Sequence, residues 1–170
     1  MSNDRRVEER LNDREAFLAF YDRTFTDAYR YAGRLCGTDR AAAEDLVQDA
    51  YLRVLRQVRA SDGPQVSVGY VITTIRNLHL DGLRREAGRE RHLHLVATPA
   101  ASIDADPPSM AEPSALAALP TRDRTALVLR YVDGLSVPEV AEALGVTVHA
   151  AESLLARART RLRQQEADHG

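Results

Sequence analysis

Apolar residues recur every three or four positions along most of this chain, which is the spacing of one face of an α-helix. Three such runs fill the first half of the sequence. Their apolar positions are Phe17, Phe20, Tyr21, Ala28, Tyr31 and Leu35; Ala43, Leu46, Val47, Ala50, Val54 and Val58; and Val68, Val71, Ile72, Ile75, Leu78, Gly82 and Leu83. No segment shows a convincing strand pattern, so the sequence predicts an all-α fold.

Capping and helix-breaking residues mark the ends of these three helices. The first helix is expected to begin at the cap Asn12, with Glu15 three residues later, and to end at Gly37. Thr38 or Asp39 is expected to cap the second helix, and Ser61-Asp62-Gly63-Pro64 to end it. Asn77 is a weak helix former in the middle of the third run, which leaves an interruption of that helix open.

The last part of the chain contains a pattern typical of a helix-turn-helix. Residues 121–132 are predicted to form one helix. Ser136 then caps a short helix, with Glu139 completing a capping box and Gly145 ending it. Thr147 caps a longer, arginine-rich helix that extends to about Arg163. Two helices joined by a tight turn that contains glycine, the second longer than the first, favour a DNA-binding motif.

A proline-rich, acidic segment separates the two helical parts. Residues 96–120 include no basic residue, and the acidic residues there are Asp104, Asp106 and Glu112. Pro107-Pro108 excludes a helix at that point. The segment is therefore predicted to be an extended, flexible acidic linker between two small domains.

Composition narrows the classes of function. The net charge is −2, and no lysine is present, so all basic charge comes from arginine. This balance disfavours a free-standing DNA binder, since such domains are usually basic.

The single cysteine, Cys36, is expected to be a buried apolar residue rather than a metal ligand. No apolar run approaches the roughly 20 residues of a membrane span or follows the first residues as a secretory signal would, so we expect a cytoplasmic protein.

Three segments, in this order and spacing, resemble the extracytoplasmic-function (ECF) sigma factors of bacterial RNA polymerase. They are AEDLVQDAYLRVL at 43–55, VGYVITTIRNLHLDGLRR at 68–85 and LPTRDRTALVLRYVDGLSVPEVAEALGVT at 119–147. The resemblance implies a flexible N-terminus at 1–12, a region 2 helical bundle at 13–91, an acidic linker at 92–113 and a region 4 helix-turn-helix at 114–166. It covers nearly the whole chain.

The second helix carries a polar stripe opposite its apolar face. Spacings of i, i+3, i+4, i+7, i+8 and i+11 place six residues on one side: Asp45, Gln48, Asp49, Leu52, Arg53 and Arg56. By itself such a stripe is typical of a solvated face. The resemblance instead implies that it binds a coiled coil in the largest subunit of RNA polymerase, and that the flap of the second-largest subunit is a further contact.

The third helix is the candidate for binding the promoter's −10 element. The residues that the resemblance implies for it are Tyr70, Arg76, Asn77, Asp81, Arg84 and Arg85. Arginines can hold phosphates, and an exposed amide such as that of Asn77 can hydrogen-bond a flipped base of the melted strand. Many relatives carry tryptophan where this chain has Tyr70, so a packing role for Tyr70 stays open.

The arginine-rich helix and the turn before it are the candidates for binding the −35 element. The residues concerned are Ser136, Thr147, His149, Glu152, Ser153, Arg157 and Arg159. Relatives often have a basic residue, serine and another basic residue where this chain has Glu152, Ser153 and Leu154. Glutamate can accept from cytosine and leucine can contact a thymine methyl group, but neither holds a phosphate, so an unusual −35 sequence or a weak contact is expected.

Three other functions compete with a promoter-specific sigma factor. A degenerate relative would bind polymerase or a regulator without reading promoters, and a stand-alone helix-turn-helix regulator would need its own dimerisation surface. An enzyme is disfavoured, because no phosphate-binding loop, nucleophile motif or metal spacing is present. The resemblance implies core RNA polymerase and promoter DNA as partners, an anti-sigma factor as a further one, no cofactor, no metal and no membrane insertion. It also implies association with the nucleoid during activity, or retention at the membrane by the anti-sigma factor.

Overall fold

The structure, a computed structural model, describes residues 9–11, 13–60, 65–93 and 115–168, and these are almost entirely helical. The elements are β1 (Glu9–Arg10), α1 (Arg14–Cys36), α2 (Arg40–Ala60), β2 (Gln65–Val66), α3 (Val68–Leu93), α4 (Thr121–Leu127), a π-helical turn (Val128–Val132), α5 (Val137–Leu144) and α6 (Val148–Asp168). The two short strands pair antiparallel, with Glu9 opposite Val66. The all-α prediction is confirmed apart from this small pairing.

The chain divides into two compact units between His79 and Leu80, which lies inside α3. The domain limits taken from the sequence stay predictions. Most of the predicted N-terminal segment 1–12 and linker 92–113 lies outside the described residues.

The first unit is built on α1 and α2, which pack against each other across a short turn. Gly37 ends α1 with a φ of 67° and a ψ of −120°, a positive-φ conformation that glycine adopts at little cost. The buried faces of the two helices include Phe20, Val47 and Val54. A polar link joins the same helices, since the Thr24 hydroxyl lies 2.7 Å from the Tyr51 hydroxyl.

The second unit has its own core. Its buried members are Leu80, Leu119, Ala126, Leu127, Leu129, Val140, Leu154, Leu155 and Ala158. Helix α6 packs along α4 and α5, which is the arrangement that a helix-turn-helix requires. The buried Arg124 guanidinium donates to the backbone oxygen of Leu119 at 2.7 Å and so ties α4 to the segment before it.

Helix ends agree with the sequence at Gly37 and at four further positions. Asp39 accepts from the Ala42 amide at 2.9 Å, and Thr147 accepts from the Ala150 amide at 3.2 Å. Ser136 forms the expected capping box with Glu139, and Gly145 ends α5 in the left-handed conformation. A capping side chain accepts from a backbone N–H group only a few residues further along the chain, so the sequence alone can identify it.

One expectation about the helices is wrong, an alternative that the sequence left open is excluded, and one predicted helix is α-helical only in part. Helix α1 is capped by Asp13, which accepts from the Ala16 amide at 2.8 Å, whereas the expected cap, Asn12, lies outside the described residues. Helix α3 is continuous through Asn77, because Ile75 and Leu78 on either side are buried and packing outweighs the weak propensity. The helix predicted for 121–132 is α-helical only to Leu127 and then π-helical.

Candidate polymerase- and DNA-binding surfaces

The polar stripe of α2 lies on the solvent side of the first unit. All six predicted polymerase-binding residues are exposed: Asp45, Gln48, Asp49, Leu52, Arg53 and Arg56. Leu52 is 48% exposed. The stripe therefore combines charged side chains with one apolar side chain that a partner could cover.

The first half of α3 presents two exposed candidates for contact with melted DNA. Tyr70 is 42% exposed, and the Asn77 side chain is also exposed. Arg76 is partly buried. The apolar side chains of Val71 and Ile75 are completely buried, so the helix holds Tyr70 and Asn77 on a fixed surface. Exposure of Tyr70 agrees better with a stacking role than with a core role.

The other three candidates on α3 belong to the second unit. Arg84 pairs with Asp81 at 3.1 Å between Nη1 and Oδ1, and Arg85 Nε donates to the backbone oxygen of Asp81 at 3.2 Å. Arg84 also uses Nη2 to donate to the backbone oxygen of Ala143, at 2.8 Å. One predicted −10 arginine is thus bound to the end of α5.

The first helix of the helix-turn-helix is held by its capping box. Ser136 donates from both its hydroxyl and its backbone N–H to the Glu139 carboxylate, at 2.7 Å each. These bonds lower the pKa of Glu139, the hydroxyl contributing most. Ser136 and Thr147 therefore serve as helix caps, and a DNA contact by either stays a prediction.

The arginines of α6 are largely engaged within the domain. Arg157 lies 3.3 Å from Asp123 of α4, and Arg161 pairs with the other oxygen of the same carboxylate. Arg159 donates to the hydroxyl of Tyr131 at 3.2 Å. The side chains of Arg157 and Arg161 stay 55% and 43% exposed. They can reach solvent, but their charge is partly neutralised by Asp123.

The first turns of α6 carry the remaining −35 candidates. His149, Glu152 and Ser153 are exposed, and His149 lies 3.8 Å from Glu152. Leu154 is only 9% exposed and belongs to the core of the second unit. The side chain of Leu154 therefore packs inside the protein, which disfavours the contact with a thymine methyl group that a leucine can make.

Sequence reasoning missed Asp123, Arg124 and Tyr131. Asp123 and Arg124 are buried, although charged residues are rarely inside a protein without partners. Tyr131 is 59% exposed at the end of the π-helical turn, where Arg130 also lies over its ring at 5.9 Å. The helical spacing of Arg157 and Arg161 was the available signal, since residues four apart share one face and can bind one carboxylate.

The described residues form neither a membrane span nor a metal-binding cluster. No helix there has both the length and the apolar character that crossing a membrane requires. No group of three or more histidine, cysteine, aspartate or glutamate side chains in these segments is placed to hold a metal ion.

A helical unit followed by a helix-turn-helix unit defines a class of transcription proteins, and the comparisons identify the family. The family model for Sigma-70 region 2 matches residues 20–89, and the model for Sigma-70, region 4, matches residues 110–162. The "RNA polymerase sigma-E factor" of Streptomyces avermitilis is 30% identical over 152 residues, covering 85% of this chain and 82% of that protein. The chain belongs to the ECF sigma factors of the sigma-70 family.

Two further similarities differ in extent. The "ECF RNA polymerase sigma factor SigE" of Mycolicibacterium smegmatis is 33% identical over 152 residues, covering 83% of this chain but only 58% of that protein. The sigma factor RpoE from Bartonella quintana, solved in complex with the anti-sigma factor NepR, is 22% identical. It has a TM-score of 0.51 and covers 90% of this chain and 98% of that one. That structure supports the fold.

Proposed function

We propose that this protein directs RNA polymerase to a set of promoters by binding the core enzyme, the −10 element and the −35 element. Membership of the ECF sigma factors supports the general role. The exposed stripe of α2 is the main structural observation in favour of it. The role is non-catalytic, since the polymerase performs the chemistry.

The stripe of α2 is the proposed binding site for the largest-subunit coiled coil. Exposed Leu52 supplies an apolar contact, and the acidic and basic residues around it set the orientation of the partner. The flap of the second-largest subunit is the proposed partner of the second unit.

Helix α3 is the proposed site for the −10 element. Exposed Tyr70 can stack on a base, and exposed Asn77 can hydrogen-bond the edge of a base taken out of the stack. Arg84 and Arg85 are exposed and can bind the phosphates on either side. Together they would stabilise the melted strand.

The N-terminal turns of α6 are the proposed site for the −35 element. His149, Glu152 and Ser153 are exposed there, at the end of the helix that enters the major groove in this motif. Pairing with Asp123 offsets part of the charge of Arg157, and a hydrogen bond to the Tyr131 hydroxyl engages Arg159 within the domain. We therefore expect a −35 contact that depends strongly on polymerase.

An anti-sigma factor is a further proposed partner, by analogy with the Bartonella quintana sigma factor solved with one. The protein would act in the cytoplasm at the nucleoid, where polymerase and promoters are. An anti-sigma factor attached to the membrane would hold it there when inactive.

The proposal is tested by run-off transcription with purified core polymerase and a library of upstream sequences from the same genome. Specific transcripts that appear only with this protein are the expected result. Binding to core polymerase without any transcript would support the degenerate relative instead. Tight duplex binding without polymerase would support a stand-alone regulator.

The polymerase contact is tested by Asp45→Ala with Asp49→Ala. Loss of two charges at the proposed contact should weaken binding to core polymerase about tenfold or more. Glu15→Ala with Asp22→Ala removes the same charge from exposed positions on α1 and is the matched control. Equal effects of the two pairs would mean that only net charge matters.

The −10 contact is tested by Arg84→Ala with Arg85→Ala. Open-complex formation, followed by permanganate reactivity of unpaired thymines, should fall while binding to core polymerase is retained. The matched control is Arg30→Ala with Arg34→Ala, which removes two exposed arginines from α1. Unchanged melting by the Arg84 and Arg85 variant would make the assignment of these arginines wrong.

A further inference from the structure

The small antiparallel pairing joins a segment before α1 to the segment directly before α3. Strand β1 (Glu9–Arg10) pairs with β2 (Gln65–Val66), and Glu9 lies opposite Val66. An isolated pair of strands is at best marginally stable in water, and each strand here has only two residues. Packing of neighbouring side chains must therefore hold the pairing in place.

Two buried side chains beside the strands provide this packing. Leu11 directly follows β1 and is 1% exposed, and Val66 within β2 is 2% exposed. Leu11 is one of the largest completely buried side chains among the described residues. It lies before the first residue of α1, Arg14, so its burial serves no helix face. Leu11 instead anchors β1, and with it β2, to the first unit.

One residue connects β2 to the first turn of α3. Ser67 follows Val66, and α3 begins at Val68. The Tyr70 amide donates to the backbone oxygen of Ser67 at 3.0 Å and lies 3.3 Å from its Oγ. The Val71 amide donates to the same backbone oxygen at 3.3 Å. A displacement of β2 would therefore change the backbone position of Tyr70.

We infer that Leu11 and β1 position the −10 site, because they hold β2 and, through Ser67, the orientation of Tyr70. This rests on the proposed function of α3 at the −10 element. Tyr70 is 42% exposed and is the residue that would stack on a base. Leu11 is buried, so it acts on the DNA only through Ser67 and Tyr70. It is a positioning residue rather than a DNA contact.

The first experiment measures transcription with the full chain carrying Leu11→Ala. Two templates are used: a promoter found by run-off transcription, and the same promoter with mismatched bases that open the −10 element in advance. A lower fraction of folded protein reduces both yields equally, so their ratio reports melting alone. Leu11→Ala should lower the ratio of duplex to pre-opened yield about tenfold, the size of one lost stacking contact.

Two further variants separate positioning from general stability. Leu35→Ala is the matched control, since Leu35 is completely buried at the end of α1. It should lower both yields together and leave the ratio unchanged. Leu11→Ile keeps the apolar volume and should restore the ratio of the natural chain. If Leu11→Ala does not fold, Ser67→Ala removes a side-chain acceptor of the Tyr70 amide and should lower the ratio about threefold.

The second experiment follows hydrogen exchange in the absence of polymerase. The Tyr70 and Val71 amides should exchange about tenfold faster in Leu11→Ala than in the natural chain. The Gly37 amide, which donates to the backbone oxygen of Gly33 at 2.8 Å, should keep its rate. Faster exchange at Gly37 to the same extent, or an unchanged rate at Tyr70 and Val71, would overturn the inference.

The outcomes also separate this inference from the proposed function. An equal loss of yield on both templates with Leu11→Ala would overturn the inference, because Leu11 would then only stabilise the fold. Tyr70→Ala should lower the ratio at least as much as Leu11→Ala. If Tyr70→Ala left the ratio unchanged, the proposed function of Tyr70 at the −10 element would be wrong, whatever the exchange rates.

Discussion

Each of the two units contains a buried polar link between helices, and these two links differ in charge. In the first unit a neutral pair joins α1 and α2, with Thr24 Oγ1 and Tyr51 Oη 2.7 Å apart. In the second unit the carboxylate of Asp123, only 1% exposed, joins α4 to two arginines of α6. The neutral link involves no charged side chain that could otherwise bind a partner at the surface. The charged link offsets part of the arginine charge on the surface that would bind DNA.

The same difference separates the exposed stripes of the two units. On α2 the six candidate residues point to solvent and can meet a partner. On α6 the arginines that are evenly spaced in the sequence are divided between Asp123 and Tyr131. A run of basic residues on a helix therefore does not measure the charge that DNA encounters, because a buried acid on another helix can neutralise part of it.

The largest expected effect comes from the charged link. Asp123→Ala should destabilise α4 and α6 by about 2 kcal/mol, since it removes two charge-assisted hydrogen bonds from a buried site. Hydrogen exchange of the amides in α4 and α6 measures this separately from the first unit. Asp49→Ala, on the exposed stripe of α2, is the control and should change stability by less than about 0.5 kcal/mol. Equal effects would mean that Asp123 contributes no more than a surface acid.

The neutral link between Thr24 and Tyr51 should contribute less to stability than the charged link. Thr24→Val keeps the shape of the side chain but leaves the buried Tyr51 hydroxyl without this partner, which should cost about 1 kcal/mol. Exchange of amides in α1 and α2 is the measurement. The double variant with Tyr51→Phe should recover part of the loss, because it removes the hydroxyl left unpaired. A double variant less stable than either single one would contradict the link.

Alkaline pH distinguishes the two links further. Burial raises the pKa of Tyr51 to about 12 from 10.0, although the Thr24 hydrogen bond acts in the opposite direction. The folded state thus keeps its proton to higher pH than the unfolded state. The contribution of Tyr51 to the stability of the first unit should be constant below pH 10 and should fall as the pH rises towards 12. Tyr51→Phe should remove this part of the decline in a pH series of urea unfolding curves.

The smallest expected effect is at acid pH in the second unit. The bonds from Ser136 lower the pKa of Glu139 below its ordinary value of 4.5. The capping box therefore contributes fully above pH 4.5, and its contribution is lost as the pH falls through the lower pKa of the folded state. Exchange in α5 should rise in that range. Glu139→Gln should show less of this pH dependence, and an identical profile would exclude Glu139 as its source.

The sequence by itself determined the helices, the helix-turn-helix and the family. Their determinants are local: apolar spacing selects the buried face of each helix, and Ser136, Thr147 and Gly145 satisfy or end the helix beside them. The confirmed caps and the buried faces of α1 and α2 follow from residues within a few positions of each other. The question that the sequence left open at Asn77 shows the limit, since burial of Ile75 and Leu78 decides that α3 is continuous there.

Only the tertiary structure decided which polar and apolar residues of the candidate sites are available to bind DNA or another partner. Asp123 and Arg157 are 34 positions apart, and Arg84 and Ala143 are 59 positions apart. No local pattern predicts such contacts, because they depend on how helices pack. Leu154 illustrates the reason most clearly: its place on the helix allowed a DNA contact, and the packing of the second unit put it in the core.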